Sequence, residues 1–329
     1  MKEFWKFLAL FSLSFNSDAD IFGVDDRRYV FPRGYFSTEA TGVSVGVLRT
    51  LWTDLEGEQV NLLEESPTGR VFGLIQDSMS DILCRSEKFS RDPSISYACT
   101  GFLIAPDLLI TAGHCAVNAG EEISHEKGGY CEAYTWYFDY QNSNSLPLSQ
   151  SQFLGDKIFK CEEIIYAINE QEELGRDFAL IRLKRKVPDT RHIFQIDNAN
   201  DLNLSSRVNM LGHPMGTPLK ISPNGRILED HSRKTYLKTN LDAFAGNSGS
   251  PVLNRSNHAI GVLVAGKPNF GTYKTPAGCE KYNRCDGRGA NCIEIPEDSQ
   301  EGFPHTYSKV QKLDPYRRLI EAEKSKSLR

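Results

Sequence analysis

From about residue 98 onward the apolar positions fall into short runs separated by Gly, Pro, Asn and Asp. GFLIAPDLLITAG (101–113), FALIRL (178–183), RVNMLGHP (207–214) and HAIGVLVAG (258–266) are rich in Val, Ile, Leu and Phe. Runs of this length and composition, bounded by turn residues, read as strands rather than amphipathic helices. Their repetition predicts an all-β architecture, a sandwich or a barrel. Helical signal gathers only at the end. Asp314-Pro315 reads as an N-cap followed by a first-turn proline, and YRRLIEAEKSK (316–326) then carries helix formers and mixed charges. This predicts a C-terminal helix packed on the body, with a frayed tail at 321–329. Residues 34–83 resist the same reading: FSTEATGVSVGVLRTLW is followed by the acidic LEGEQVNLLEE without a clear period. A pro-segment, an insertion, and extra strands on a first barrel all remain open for 20–83.

The chain has 329 residues, 40% of them hydrophobic and 25% charged, enough for one large domain or two small ones. The net charge is −5, with Lys and Arg scattered, which excludes a nucleic-acid footprint. The N-terminal MKEFWKFLALFSLSF has Lys2 and Lys6 flanking a short apolar run, with small and polar residues at 17–19. Residues 1–19 are therefore read as a signal peptide, and the mature protein as secreted or periplasmic. No later stretch approaches membrane length, so no membrane partner is expected. Eight cysteines, at 84, 99, 115, 131, 161, 279, 285 and 292, form an even set. In an exported chain that favours disulfides. Without a C-x2-C pair, a zinc site is disfavoured. Asn203-Leu-Ser205 and Asn254-Arg-Ser256 match glycosylation acceptors, a pattern common by chance.

Three islands carry candidate chemistry: TAGHC (111–115), DFALIRL (177–183) and GNSGSPV (246–252). A serine hydroxyl is a poor nucleophile at neutral pH and needs a base within hydrogen-bond reach. Histidine suits that role because its pKa lies near working pH. A buried carboxylate then fixes the imidazole tautomer and stabilises the imidazolium. His114, Asp177 and Ser248 are the candidates, each in its own motif. The other six histidines have no comparable surroundings. A nucleophile elbow of the α/β-hydrolase kind is excluded, because Ser250 stands where G-x-S-x-G needs its last glycine and because Asp and His precede Ser248.

Together these islands resemble the trypsin superfamily. TAGHCA is similar to its T-A-A-H-C motif with Gly113 in place of Ala, DFALIRL to D-I-A-L-L-K-L, and GNSGSPV to G-D-S-G-G-P-L. FLIAPDLLITAGHC, GNSGSPV and the early IFGVDDRRYVF look most like the bacterial branch that includes the staphylococcal-type glutamyl endopeptidases. The resemblance implies two antiparallel β-barrels, chymotrypsin-like, with the site in the cleft between them. It places a protease domain over 84–320. It also implies a Cys99–Cys115 disulfide beside the histidine; Cys131–Cys161 is the next pair to expect, and the other pairings stay open. Backbone N–H groups of Gly246 and Ser248 would form the oxyanion hole, with Gly246 permitting the turn. No cofactor and no metal is called for. The expected partner is a protein or peptide substrate, and the expected state is a monomer.

The chain also departs from the pattern. Asn247 replaces the Asp that receives a new N-terminal ammonium in trypsin-like zymogens, so that charged trigger is not expected. Asp242, six residues before Ser248, matches the acidic base of a pocket for Arg or Lys at P1. Leu263 stands where glutamyl endopeptidases carry a carboxylate-binding histidine. Gly266 would keep the pocket entrance open. PHTYSKV (304–310) resembles P-G-V-Y-T-K-V and puts His305 where a glycine leaves the pocket clear. The expectation is a secreted serine endopeptidase with a basic P1 preference. Its rivals are a catalytically silent homologue acting as a binding module and an exported esterase.

Overall fold

A computed structural model of the chain describes residues 20–31, 33–48, 70–71, 75–95, 99–141, 153–154, 157–170, 175–229, 232–267, 271–293 and 306–327. The segment read as a signal peptide, 1–19, and the pocket candidate His305 lie outside the described residues.

The short apolar runs fold as strands of two antiparallel rings. The first contains β1 (Val43–Leu48), β2 (Cys99–Ala105), β3 (Leu108–Thr111), β4 (Tyr134–Phe138), β5 (Ile158–Asn169) and β6 (Asp177–Leu183). Its order is β4-β1-β2-β3-β6-β5, and β5 closes the ring on β4 through Thr135↔Lys160, Trp136↔Phe159 and Tyr137↔Ile158. The second contains β7 (Arg207–Gly212), β8 (Lys220–Arg226), β9 (Tyr236–Thr239), β10 (Pro251–Leu253), β11 (Ala259–Lys267) and β12 (Tyr307–Lys312). Its order is β9-β12-β11-β10-β7-β8, and an antiparallel bridge between Ile227 and Thr239 returns the end of β8 to β9. Closure leaves few free edges to pair with another chain. This is the two-barrel fold with a C-terminal helix that the resemblance implied.

Three apolar cores explain why the runs lack a clean alternation. Leu103, Leu109, Trp136, Phe138 and Phe159 fill the first barrel, and Val208, Met210, Leu237, Ile260 and Val310 the second. Phe102, Ile104 and Ile110 point out of the first barrel into a shared core with Leu211, Val262 and Val264 of the second. All residues of β2 and β3 are therefore buried on both faces. A large side chain held there contributes about 1.5–3 kcal/mol by leaving water.

The C-terminal helix, α1 (Arg317–Ser327), adds Ile320 to the shared core. The turn before it stacks Tyr316 on Phe178 with ring centroids 3.8 Å apart. Two expectations change here. Asp314 sits inside a short 3-10 turn rather than capping it, and its carboxylate accepts the Ala199 N–H at 3.1 Å. Residues 321–327 are helical rather than a tail, with the buried Glu323 paired to Arg182 at 2.7 Å.

The segment left open at 20–83 is part of the architecture where it is described. It provides β1, and Arg28–Tyr29 adds a strand beside β8. Ile21–Phe22 lies parallel to Arg284–Cys285. Arg27 is 2% exposed, with Asp25 as its ion-pair partner at 2.8 Å and the rings of Tyr282 and Phe244 within 4.5 Å of its guanidinium. Nearby, Lys220 and Asp92 form a second buried pair at 2.7 Å. Burial pushes the Lys220 ammonium down to about 8 even with Asp92 beside it.

All eight cysteines are paired, as Cys84–Cys279, Cys99–Cys115, Cys131–Cys161 and Cys285–Cys292. The first closes a sequence separation of 195 residues. In the chain-entropy picture a long loop gives the largest restraint on the unfolded state. Replacing Cys84 and Cys279 together by Ser is expected to lower unfolding stability by roughly 3–5 kcal/mol. Denaturant titration checks this, and an unchanged midpoint would show that the loop is restrained by other means.

Candidate active site

His114 lies in a single 3-10 turn, Gly113–Cys115, just after β3, and Asp177 opens β6. The two strands pair with Ala179 opposite Thr111, so the turn after one and the start of the other meet. His114 Nδ1 is 2.7 Å from Asp177 Oδ2, and the His114 backbone N–H donates to Asp177 Oδ1 at 3.0 Å. Both carboxylate oxygens are thus engaged by one residue. With Nδ1 donating to Asp177, Nε2 keeps its lone pair, the tautomer a base requires. Burial disfavours the imidazolium and Lys309 adds to that, but the charge and hydrogen bond of Asp177 outweigh both. The net effect raises the His114 pKa above its ordinary 6.5.

Gly113, the departure from T-A-A-H-C, has a steric cause. A Cβ there would lie 1.7 Å from the Ile168 carbonyl oxygen and 2.7 Å from the Phe178 nitrogen. The end of β5 and the start of β6 occupy the space that an alanine methyl needs. Cys115 is bonded to Cys99, which ties this turn to the start of β2.

The next residue of β2 ties down the serine loop. The Thr100 N–H donates to Ser248 O at 2.7 Å, and its hydroxyl donates to Gly246 O at 2.8 Å. On the other side, the Gly249 N–H donates to Leu263 O at 2.7 Å, and the Leu263 N–H to Ser250 O at 3.0 Å. Gly246 and Gly249 both have φ of +88°, a conformation L side chains rarely adopt. A Cβ on Gly249 would also fall 1.9 Å from Thr100 O. Among the described residues, neither the Gly246 nor the Ser248 N–H donates a hydrogen bond.

Ser248 itself is 1% exposed, and its hydroxyl has no hydrogen-bond partner among the described residues. The structure therefore joins His114 to Asp177 but does not join Ser248 to His114. Bonds of this kind often lengthen without substrate and tighten in the complex. Asn247 is buried, with its side-chain oxygen unpartnered among the described residues.

The pocket candidates separate. Asp242 is 4% exposed and accepts the Phe22 N–H at 2.8 Å on Oδ1, while Oδ2 has no partner among the described residues. Burial pushes its carboxyl up to about 7, against the pull of the Arg27 guanidinium and the Phe22 N–H. Leu263 is buried and belongs to the apolar core of the second barrel with Leu241, Ala243 and Val310. Gly266 is buried on the same strand opposite Ser308.

Two groups of metal-type side chains converge among the described residues, Cys99/His114/Cys115 and Asp20/Cys285/Cys292. Their sulfurs are bound in disulfides and offer no thiolate. Several residues that organise the site carried a signal passed over in the sequence. Thr100, Lys309 and Gln311 are polar residues within strands buried along their whole length. A polar side chain in such a strand must find a partner inside.

Residues 99–262 match a family model described as a trypsin-like peptidase domain. Among solved structures, the chain is similar to one titled a Glu endopeptidase in complex with MPD. The identity is 15% and the TM-score 0.49, over 93% of this chain and 99% of that one.

The Gly113 packing yields a stability test. Gly113→Ala is expected to cost roughly 1–3 kcal/mol as an overpacked position, read as a lowered thermal midpoint. An unchanged midpoint would mean that the strand ends yield freely.

Proposed function

We propose, from the match of residues 99–262 to a trypsin-like peptidase domain and the residues it contains, that the chain is an exported serine endopeptidase using Ser248, His114 and Asp177. The observation that carries the reading is the His114–Asp177 pair, with Nδ1 committed at 2.7 Å and Nε2 left to act as base. Ser248 Oγ attacks the scissile carbonyl while His114 Nε2 takes its proton. The same proton then goes to the leaving amine, and the acyl-enzyme is released by water along the same route. The N–H groups of Gly246 and Ser248 receive the developing oxyanion; each such donor is worth about 10²–10³ in kcat. Four disulfides fit an oxidising compartment, which supports export.

The reading is tested by Ser248→Ala and by labelling with a serine-directed fluorophosphonate. Wild type is expected to cleave a peptide library and take the label, and the variant to do neither. A protein that binds peptides equally well with and without the Ser248 hydroxyl, and never takes the label, would instead be the silent homologue. His114 must be neutral to accept a proton, and its pKa is raised. The acid limb of kcat/KM is therefore expected above the ordinary imidazole value of 6.5. Asp177→Asn should move that limb down and slow the reaction by about 10⁴-fold.

The P1 preference rests on Asp242. A nine-tenths buried carboxylate with one oxygen unpartnered among the described residues is suited to a cation, which favours Arg or Lys. Because burial holds Asp242 near 7, it is largely neutral below that pH and charged above it. The ratio of kcat/KM for Arg-P1 over Leu-P1 substrates should then rise as pH passes about 7. Taking the ratio cancels the titration of His114. A flat ratio, unaltered in Asp242→Asn, would remove Asp242 from the pocket.

A further inference from the structure

β12 belongs to the second barrel, yet two of its side chains hold the backbone that delivers Asp177 in the first. Lys309 is 6% exposed and its Nζ donates to the Gly175 carbonyl at 2.8 Å. Gln311 is fully buried and its Oε1 accepts the Asp177 N–H at 3.2 Å. The other end of that amide donates to Thr235 O at 2.8 Å, which fixes its orientation. Residues two apart on a strand share a face, so 309 and 311 meet 175 and 177 in step.

Burying an ammonium is costly unless it is well partnered. Besides the Gly175 carbonyl, the Lys309 ammonium lies 5.6 Å from the centre of the Tyr236 ring. It is near enough to act electrostatically on both His114 and Glu170. Its bond to Gly175 sets it two residues before Asp177 in the chain, buried rather than on the outer surface where a lysine usually lies.

We propose that Lys309 and Gln311 are positioning residues for the Asp177–His114 pair, a clasp by which the second barrel sets the geometry of the base in the first. The inference rests on the reading of that pair given above. Gln311 pins the first backbone donor of β6, and Lys309 pins the carbonyl two residues earlier. Together they fix where the Asp177 side chain leaves the chain. A shift of about 1 Å in such a group costs roughly 100-fold in rate.

The test uses the full, processed protein with Lys309→Met, Gln311→Met and Lys309→Arg, rates being normalised to fluorophosphonate-titrated sites. Both Met variants are expected to lose roughly 10- to 100-fold in kcat with KM little changed. They should also broaden or shift the downfield proton-NMR signal of the His114 Nδ1 proton. Lys309→Arg, which can still reach the Gly175 carbonyl, should recover most of the rate. If Lys309→Met does not fold, the near-isosteric Gln311→Met and the Arg variant carry the test. Unaltered kcat and an unaltered Nδ1 signal in folded Gln311→Met, together with normal dependence on Asp177, would overturn the clasp alone. Equal cleavage by wild type and Asp177→Asn would overturn the underlying reading and the clasp with it.

Discussion

Thr100 uses its hydrogen-bonding groups entirely inside the protein. Its N–H and hydroxyl donate to the Ser248 and Gly246 carbonyls, the hydroxyl accepts the His213 N–H at 3.1 Å, and its own carbonyl accepts from the Thr111 hydroxyl. Four groups from both barrels therefore converge on one fully buried residue. Each such bond contributes only about 1 kcal/mol net, but an orphaned partner in this setting costs about 1–3 kcal/mol. The chain on either side adds to the constraint. Cys99 is bonded to the histidine turn, and Gly249 can approach Thr100 only because it lacks a side chain. The start of β2 is thus where the serine loop and the histidine turn acquire a fixed relation.

Much of this was legible in the residues, and the reasons differ from element to element. The runs FLIA and LLIT announced strands because they are buried on both faces, between a barrel interior and the core shared by the barrels. The motif around His114 was legible from its Thr, Ala, His and Cys, while its departure at Gly113 answers to the close approach of Ile168 O, which no local pattern announces. β1 was not legible. Its partners are β2 and β4, in register with residues more than fifty positions away, and a local pattern contains no trace of such pairing. The Asp314 reading failed for a similar reason: its oxygen is taken by Ala199, which no local rule could supply.

The N-terminal segment shows how a charged stretch can belong to an interior. VDDRR is a charged run, yet Arg27 is buried against Asp25 and two aromatic rings, and the Phe22 N–H reaches Asp242. The Asp242 carboxylate thus depends on residues 220 positions earlier in the chain. The family match begins at residue 99, so this support comes from outside the matched portion.

The Cys84–Cys279 bond encloses His114, Asp177 and Ser248 within one covalent loop. A single break of the backbone anywhere inside that loop leaves two pieces still joined through sulfur. Fragments carrying the histidine and the serine do not diffuse apart, and the barrels can hold their register across the cut. Wherever such a chain meets a peptidase, a nick becomes an internal scar rather than a separation.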